Sequence, residues 1–217
     1  MQYTGRIAAC LIVLTAITVM RLYAYVYVGY PLTAPPIIGV IFLFIAFKAG
    51  GQYDKVKFFS EKDSLTGCYN RRFINTIFPT LLAKVKKNNE KLSVALLDCD
   101  NFKTINDAHG HVKGDFVLQE LSTLLLTHIR KSDMVARWGG DEFLIIAPYA
   151  DENDIKVIVH RFEEKLKELS GSLKMSITVS SGFATYPQDA QRIDELINIA
   201  DRNMYVLKKR KTDHCLR

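Results

Sequence analysis

Apolar residues follow three different rhythms along this chain. Near the N-terminus they run almost unbroken: Ile7 to Met20 carries no charge, Arg21 interrupts, and Leu22 to Phe47 is again uncharged. Pro31, Pro35 and Pro36 cannot all sit inside one helix. The pattern therefore predicts two helices, one from about Ile7 to the mid-twenties and one from about Pro36 to Phe47, each near the lower limit of length for crossing a bilayer. Ala49-Gly50-Gly51 reads as a break, followed by a short helix from Gln52 to Lys62 whose Val56, Phe58 and Phe59 offer a brief seam. Fewer than two heptads fit there, too few for a stable coiled coil.

Beyond residue 62 the rhythm becomes that of a globular domain. Asn70 to Lys87 carries Phe73, Ile74, Ile77, Phe78, Leu81 and Leu82 at helical spacing, despite Pro79. Val112 to Arg130 repeats the spacing with Phe116, Val117, Leu121, Leu124 and Leu125, and Asp154 to Leu169 with Ile155, Ile158, Val159, Phe162 and Leu166. Ile193 to Lys209 is a final helix. Strands are predicted at Ser93 to Leu97, Met134 to Trp138, Phe143 to Pro148 and Met175 to Thr185, which are short, apolar and rich in β-formers. Such an order implies an α/β-type (α+β) sandwich, with helices packed on a largely antiparallel sheet.

Two places in this domain put charge where packing does not ask for it. Between the second and third strands stand Gly139-Gly140-Asp141-Glu142. The glycines suit a two-residue type I′ hairpin turn, which needs positive φ at both centres. The adjacent carboxylates have no such reason, since acidic residues are sparse in strands and repel one another unless a cation or polar ligand intervenes. A solvated hairpin tip and a metal or catalytic site both fit that segment alone. The first strand ends in Asp98-Cys99-Asp100, where alternation sends Asp98 and Asp100 to one face and Cys99 to the other. Carboxylates at strand ends suit Mg²⁺, a hard ion that takes one or two carboxylates plus substrate phosphates. Lys103, Asn106, Lys113 and Asp115 follow, donors and acceptors fit for phosphate and a base edge.

The stretch GGDEF itself, with LLDCDNFKTIND and DSLTGCYNRRF upstream and SSGFATYP and ADRNMY downstream, resembles the GGDEF family of diguanylate cyclases. The resemblance covers roughly Asp63 to Arg217 in the family's order. It implies a palm-like domain over 63–217, after a transmembrane hairpin over 1–48 and a linker or short signalling helix over 49–62. It also implies condensation of two GTP molecules into cyclic di-GMP, the second messenger, with release of two pyrophosphates. Each 3′ hydroxyl attacks the other nucleotide's α-phosphate, so two protomers must face each other in a symmetric homodimer.

Carried over residue by residue, the resemblance makes Asp98, Asp141 and the main-chain carbonyl of Cys99 the holders of Mg²⁺, or Mn²⁺ in its place. Glu142 and Asp141 are the catalytic carboxylates. Asn106 and Asp115 read guanine, Lys103 with the backbone at Asn101 and Phe102 meets phosphate, Gly139 and Gly140 let the backbone approach the nucleotide, and Lys208 grips phosphate. Arg130 and Asp133 match the family's RxxD inhibitory site for cyclic di-GMP, with Arg137 adding from the neighbouring strand. The chain departs from the family pattern where Lys211-Thr212 replaces a glycine-arginine pair, with Lys209, Arg210 and Lys211 nearby, and at Cys68 and Ser181, where aliphatic residues are common. The alternative reading is a catalytically weak GGDEF protein acting as a receptor for GTP or cyclic di-GMP.

Charge and cysteine content refine the picture. The formal net charge of +6 concentrates near the apolar segments and in Lys208 to Arg217, where it suits anionic lipid, polyphosphate or a solvated helix end. Nucleic acid is not an expected partner. Arg6, Lys48, Lys55 and Lys57 flank the apolar hairpin while its connecting loop has no lysine or arginine, which places both ends in the cytoplasm. Tyr23, Tyr25, Tyr27 and Tyr30 mark the far interface, and Arg21 lies close enough to the helix end to snorkel. A cleaved signal peptide or a re-entrant loop also fits the first segment. Cys10, Cys68, Cys99 and Cys215 show neither metal-ligand nor disulfide spacing and are read as reduced thiols. The expected location is the cytoplasmic membrane, with the catalytic domain facing the cytoplasm.

Overall fold

The computed structural model describes residues 3–29, 31 and 37–215, and side chains as far as residue 209. The expectations placed on Tyr30, Pro35, Pro36 and the side chains of Arg210, Lys211, Thr212 and Cys215 lie outside these described residues. The chain divides into two compact units, Met1–Ser60 and Glu61–Arg217.

The first unit is built from α1 (Thr4–Val28) and most of α2 (Ile37–Glu61), each 25 residues long and apolar enough to cross a membrane by length and composition. Contrary to the break expected at Ala49-Gly50-Gly51, α2 runs through it without interruption. The two glycines serve packing between helices instead. A Cβ on Gly50 would stand 2.6 Å from Arg6 Cα, and one on Gly5 2.9 Å from the Gly50 carbonyl oxygen. Small residues let helix backbones meet this closely. Asp54, only 8% exposed, accepts hydrogen bonds from the first-turn amides of Gly5 (2.7 Å) and Arg6 (3.2 Å). It thereby caps α1, whose own N-cap residue Tyr3 makes no side-chain bond.

The second unit is a five-stranded sheet in the order β1-β3-β4-β2-β5. Its strands are β1 (Tyr69–Asn70), β2 (Leu92–Cys99), β3 (Met134–Arg137), β4 (Glu142–Pro148) and β5 (Val179–Tyr186). Every pairing is antiparallel except β1 with β3. The helices are α3 (Arg71–Lys87), α4 (Phe102–His109), α5 (His111–His128), α6 (Glu152–Leu173) and α7 (Ile193–Cys215). The last predicted strand starts four residues later than expected, at Val179 rather than Met175. Helix α6 extends to Leu173, and Lys174 turns left-handed at φ 52°, with Met175 N bonding back to Ser170 O.

Alternation along the strands sorts their side chains into two cores. Ala95, Leu97 and Cys99 join Val135, Phe143, Ile145 and Ala147 under α4, α5 and α6. Leu92, Val94 and Leu96 join Ala136, Leu144 and Ile146 on the opposite face, under α3 and α7. The same alternation carries Asp98 and Glu142 onto the α3/α7 face, at the point where the apolar stripe ends.

Candidate active site

Strands β2 and β4 pair in a register that sets Asp98 directly opposite Glu142. Just beyond, Cys99 N donates to the Asp141 carbonyl at 3.2 Å, so the end of one strand and the start of the other bring three acidic residues together. The expected two-residue turn is not what joins β3 to β4. Pairing stops at Arg137 opposite Phe143, the turn is made by Trp138 to Asp141, and neither Gly139 nor Gly140 adopts the left-handed conformation. Trp138 N closes the turn on the Glu142 carbonyl at 2.8 Å. Gly139 leaves room for the Glu142 carboxylate: a Cβ there would lie 2.4 Å from Glu142 Oε2, so a side chain at 139 would displace the carboxylate from this position.

The electrostatics follow from this crowding. Burial raises the Glu142 carboxyl, and the charges of Asp98, Asp141 and Asp201 raise it further. Burial also pushes Asp98 up, against the pull of Lys208, whose Nζ meets Asp98 Oδ1 at 2.5 Å. Asp100, on the same strand end, accepts from the hydroxyls of Thr178 (2.7 Å) and Ser180 (2.6 Å). Among the described residues no three histidine, cysteine or acidic side chains converge on one metal position. Asp98 and Asp141 with a main-chain oxygen nevertheless form an all-oxygen donor set, the kind a hard divalent cation takes. Cys68 and Cys99 are buried in the core, and burial pushes their thiols up to about 11 and about 12 respectively, which keeps them protonated and inert.

The residues expected to read a base and phosphates stand on α4 and α5. Asn101, left-handed at φ 54°, opens α4; Lys103 and Asp115 are exposed, and Phe102 packs on the core. Among the described residues Asn106 Oδ1 is buried without a hydrogen-bond partner, and it faces Gly114, where a Cβ would approach to 1.8 Å. An orphaned acceptor of this kind is costly unless a ligand donor satisfies it.

Arg130 and Asp133 share one turn. Asp133 is 7% exposed and accepts from Arg130 N and the Ser132 hydroxyl, both at 3.0 Å, while Arg130 reaches outward with Nη2 3.9 Å from Asp154 Oδ1. Arg137 does not join them, contrary to the expectation. Its Nε and Nη2 donate to the Gly140 carbonyl (3.1 and 2.7 Å), and its Nη1 donates to Asp63 at 3.1 Å. The guanidinium is spent on holding the turn. On the other side of that turn Arg71 stacks over Trp138, with 4.6 Å from the guanidinium carbon to the ring centroid. Arg71, Asn75, Trp138, Glu142, Asn198 and Asp201 line a cavity of about 350 Å³. Of these cavity residues the sequence singled out Glu142 alone; Arg71 stood inside the quoted DSLTGCYNRRF stretch without a role, and Asn75, Trp138, Asn198 and Asp201 carried no signal of spacing.

Residues 60–214 match the family described as diguanylate cyclase, GGDEF domain. The chain belongs to the GGDEF family. Among relatives, the diguanylate cyclase DosC of Escherichia coli K12 is 37% identical over 154 residues, covering 68% of this chain and 33% of that protein. The diguanylate cyclase TpbB of Pseudomonas aeruginosa is 36% identical over 154 residues, covering 69% and 35%. The chain thus spans about a third of the length of these curated relatives. The crystal structure of the coiled coil and GGDEF domain of DgcB from Caulobacter crescentus, in complex with c-di-GMP, superposes with a TM-score of 0.66 at 25% identity, covering 75% of this chain and 87% of that one. The GGDEF domain brings Asp98, Cys99, Asp141, Glu142 and Lys208 together at one strand end, and it sets Asn106 beside Gly114 on the neighbouring helices.

Proposed function

We propose that this chain is a membrane-anchored diguanylate cyclase. It condenses two GTP into cyclic di-GMP as a homodimer, with two pyrophosphates released. The observation that carries the reading is the cross-strand placement of Asp98 against Glu142, with Asp141 beside them, in a domain of this family. In the reaction each 3′ oxygen bonds to the other nucleotide's α-phosphorus, the bond to pyrophosphate breaks, and the hydroxyl proton leaves to a base. Glu142, raised by burial and its neighbours, is suited to hold that proton. A divalent cation held by Asp98, Asp141 and the Cys99 carbonyl, magnesium in our reading, would offset triphosphate charge and lower the barrier to hydroxyl ionisation. Lys208 supplies a fixed positive charge beside the same carboxylates.

Guanine selectivity falls to Asn106 and Asp115. A carboxylate accepts from N1–H and the exocyclic amine of guanine, a pattern adenine does not offer, and the buried Asn106 Oδ1, without a partner among the described residues, supplies a further acceptor. Lys103, with the backbone at Asn101 and Phe102, contacts phosphate. Arg130 and Asp133 form the product-inhibition site, Arg130 by stacking on guanine and pairing with phosphate. Residues 1–48 form the membrane hairpin, supported by the length and composition of α1 and α2; 49–62 connect it to the catalytic domain over 63–217. Confinement to a membrane raises the effective concentration of protomers and so favours the active dimer.

The test uses the full chain in lipid or detergent with Mg²⁺ and GTP, products being read by mass beside Asp141→Ala and an ATP control. Cyclic di-GMP from wild type only, with ATP ignored, is the expected result. A demonstrably dimeric sample that yields no product overturns the reading, and labelled GTP and cyclic di-GMP titrations then test a receptor.

A further inference from the structure

The turn that carries Asp141 and Glu142 has a mechanical problem. Glu142 stands opposite Asp98 and next to Asp141 at the end of the sheet, and close like charges repel, so the turn needs anchoring. Gly139 and Gly140 bring no side chains with which to resist. Anchoring falls to the two residues just before the glycines. Arg137 holds the turn through the Gly140 carbonyl and Asp63, and Trp138, which opens it, has Arg71 as its partner.

Two separate devices deliver Arg71 to that position. Strand β1 pairs in parallel with β3, Tyr69 opposite Ala136 and Asn70 opposite Arg137, so the next residues on each, Arg71 and Trp138, arrive side by side. Asn70 then caps α3, its side chain accepting from Phe73 N at 2.8 Å, which starts the helix at Arg71. Trp138 packs on the α3/α7 core and donates its backbone N–H to the Glu142 carbonyl. Arg71, Trp138 and Glu142 border the same cavity. A continuous line of contact therefore runs from the first residue of α3, through an indole ring, to the backbone of a catalytic carboxylate.

We propose that Arg71 is a positioning residue for turnover: by stacking on Trp138 it holds the Trp138–Glu142 turn in the geometry the chemistry needs, without itself binding nucleotide. The proposal rests on the cyclase reading above. Indole is the aromatic face that attracts a cation most strongly, and small displacements of reacting groups are costly in rate.

The test measures kcat and KM for GTP on the full chain in lipid nanodiscs, for Arg71→Ala, Arg71→Lys, Trp138→Phe, Trp138→Leu and the double variant Arg71→Ala/Trp138→Leu. Arg71→Ala lowers kcat about tenfold and leaves KM within about twofold. Arg71→Lys and Trp138→Phe each recover a large part of the rate, since charge and ring survive. The double variant is no slower than the slower single one, because both remove the same contact. Trp138 is the only tryptophan, so its emission reports the turn directly: Arg71→Ala makes it more accessible to acrylamide while far-UV circular dichroism is unchanged. A wild-type chain without product overturns the cyclase reading. With an active wild type, full kcat in Arg71→Ala, a rise in KM at constant kcat, or an additive double variant overturns the proposal.

Discussion

Lys208 Nζ stands 2.5 Å from Asp98 Oδ1, so the last helix answers the charge at the end of β2 with the one ammonium of an ion pair 110 residues apart in sequence. Both partners sit beside Asp141 and Glu142, and Asp98 draws the Lys208 ammonium upward in pKa against the opposing effect of burial. Lys208→Met should lower kcat/KM for GTP about 10- to 100-fold, with Lys208→Arg retaining a larger share, because the charge-assisted contact to Asp98 is lost and, in the proposed reaction, the one to phosphate with it. Initial rates across a GTP series check this.

Asp63 provides the pH dependence. Burial alone would raise its carboxyl, but the side chain and backbone N–H of Thr66 and the guanidinium of Arg137 together hold it below the usual carboxylate range. A depressed folded value contributes stability above the unfolded carboxylate range, and that stability is lost as pH falls through the folded value, below about pH 4. Asp63→Asn should cost about 1–2 kcal/mol at neutral pH and flatten the acid limb. Urea unfolding followed by Trp138 emission at pH 7 and in acid reads both effects.

Gly182 lies where α7 crosses β5. A Cβ there would meet the Ala200 carbonyl oxygen at 2.0 Å and Met204 N at 2.4 Å, backbone atoms that cannot swing aside. Gly182→Ala should destabilise the domain by about 3 kcal/mol through overpacking. The measurement is the unfolding midpoint, and a change within experimental error would show that α7 does not press on this strand.

At the other end of the chain, Asp54→Ala removes the cap that α2 gives to α1. The amides of Gly5 and Arg6 should exchange with deuterium about tenfold faster, in line with a loss of about 1–2 kcal/mol for an N-terminal cap. Exchange measured on the full chain in lipid reads the contact without reference to catalysis.

Much of the architecture was legible in the chain. The helical spacing of Phe73 to Leu82 and of Ile155 to Leu166 placed α3 and α6, and alternation through Val94, Leu96 and Asp98 told which way the acidic side chain would face, since β periodicity leaves only two choices. The GGDEF stretch and its companion motifs named the family. Other features were not readable. Ala49-Gly50-Gly51 reads as a break because glycine lowers helix propensity, yet α2 runs through it where α1 approaches closely. The two glycines at 139 and 140 suggested a two-residue turn, but room for the Glu142 carboxylate, not positive φ, is what Gly139 supplies.

Sequence by itself determined the alternating faces of the strands, the acidic residues at their ends, the apolar N-terminal segments and the family. These depend on local periodicity and on residue types within a short window. Only the tertiary structure decided that Asp98 faces Glu142, that Lys208 reaches Asp98, that Arg137 is spent on Gly140 and Asp63, and that Arg71 stacks on Trp138. Each of these is a pairing between distant segments, set by strand register and by helices closing over the sheet. No local pattern encodes such a register, because it emerges only when both apolar faces of the sheet are buried at once.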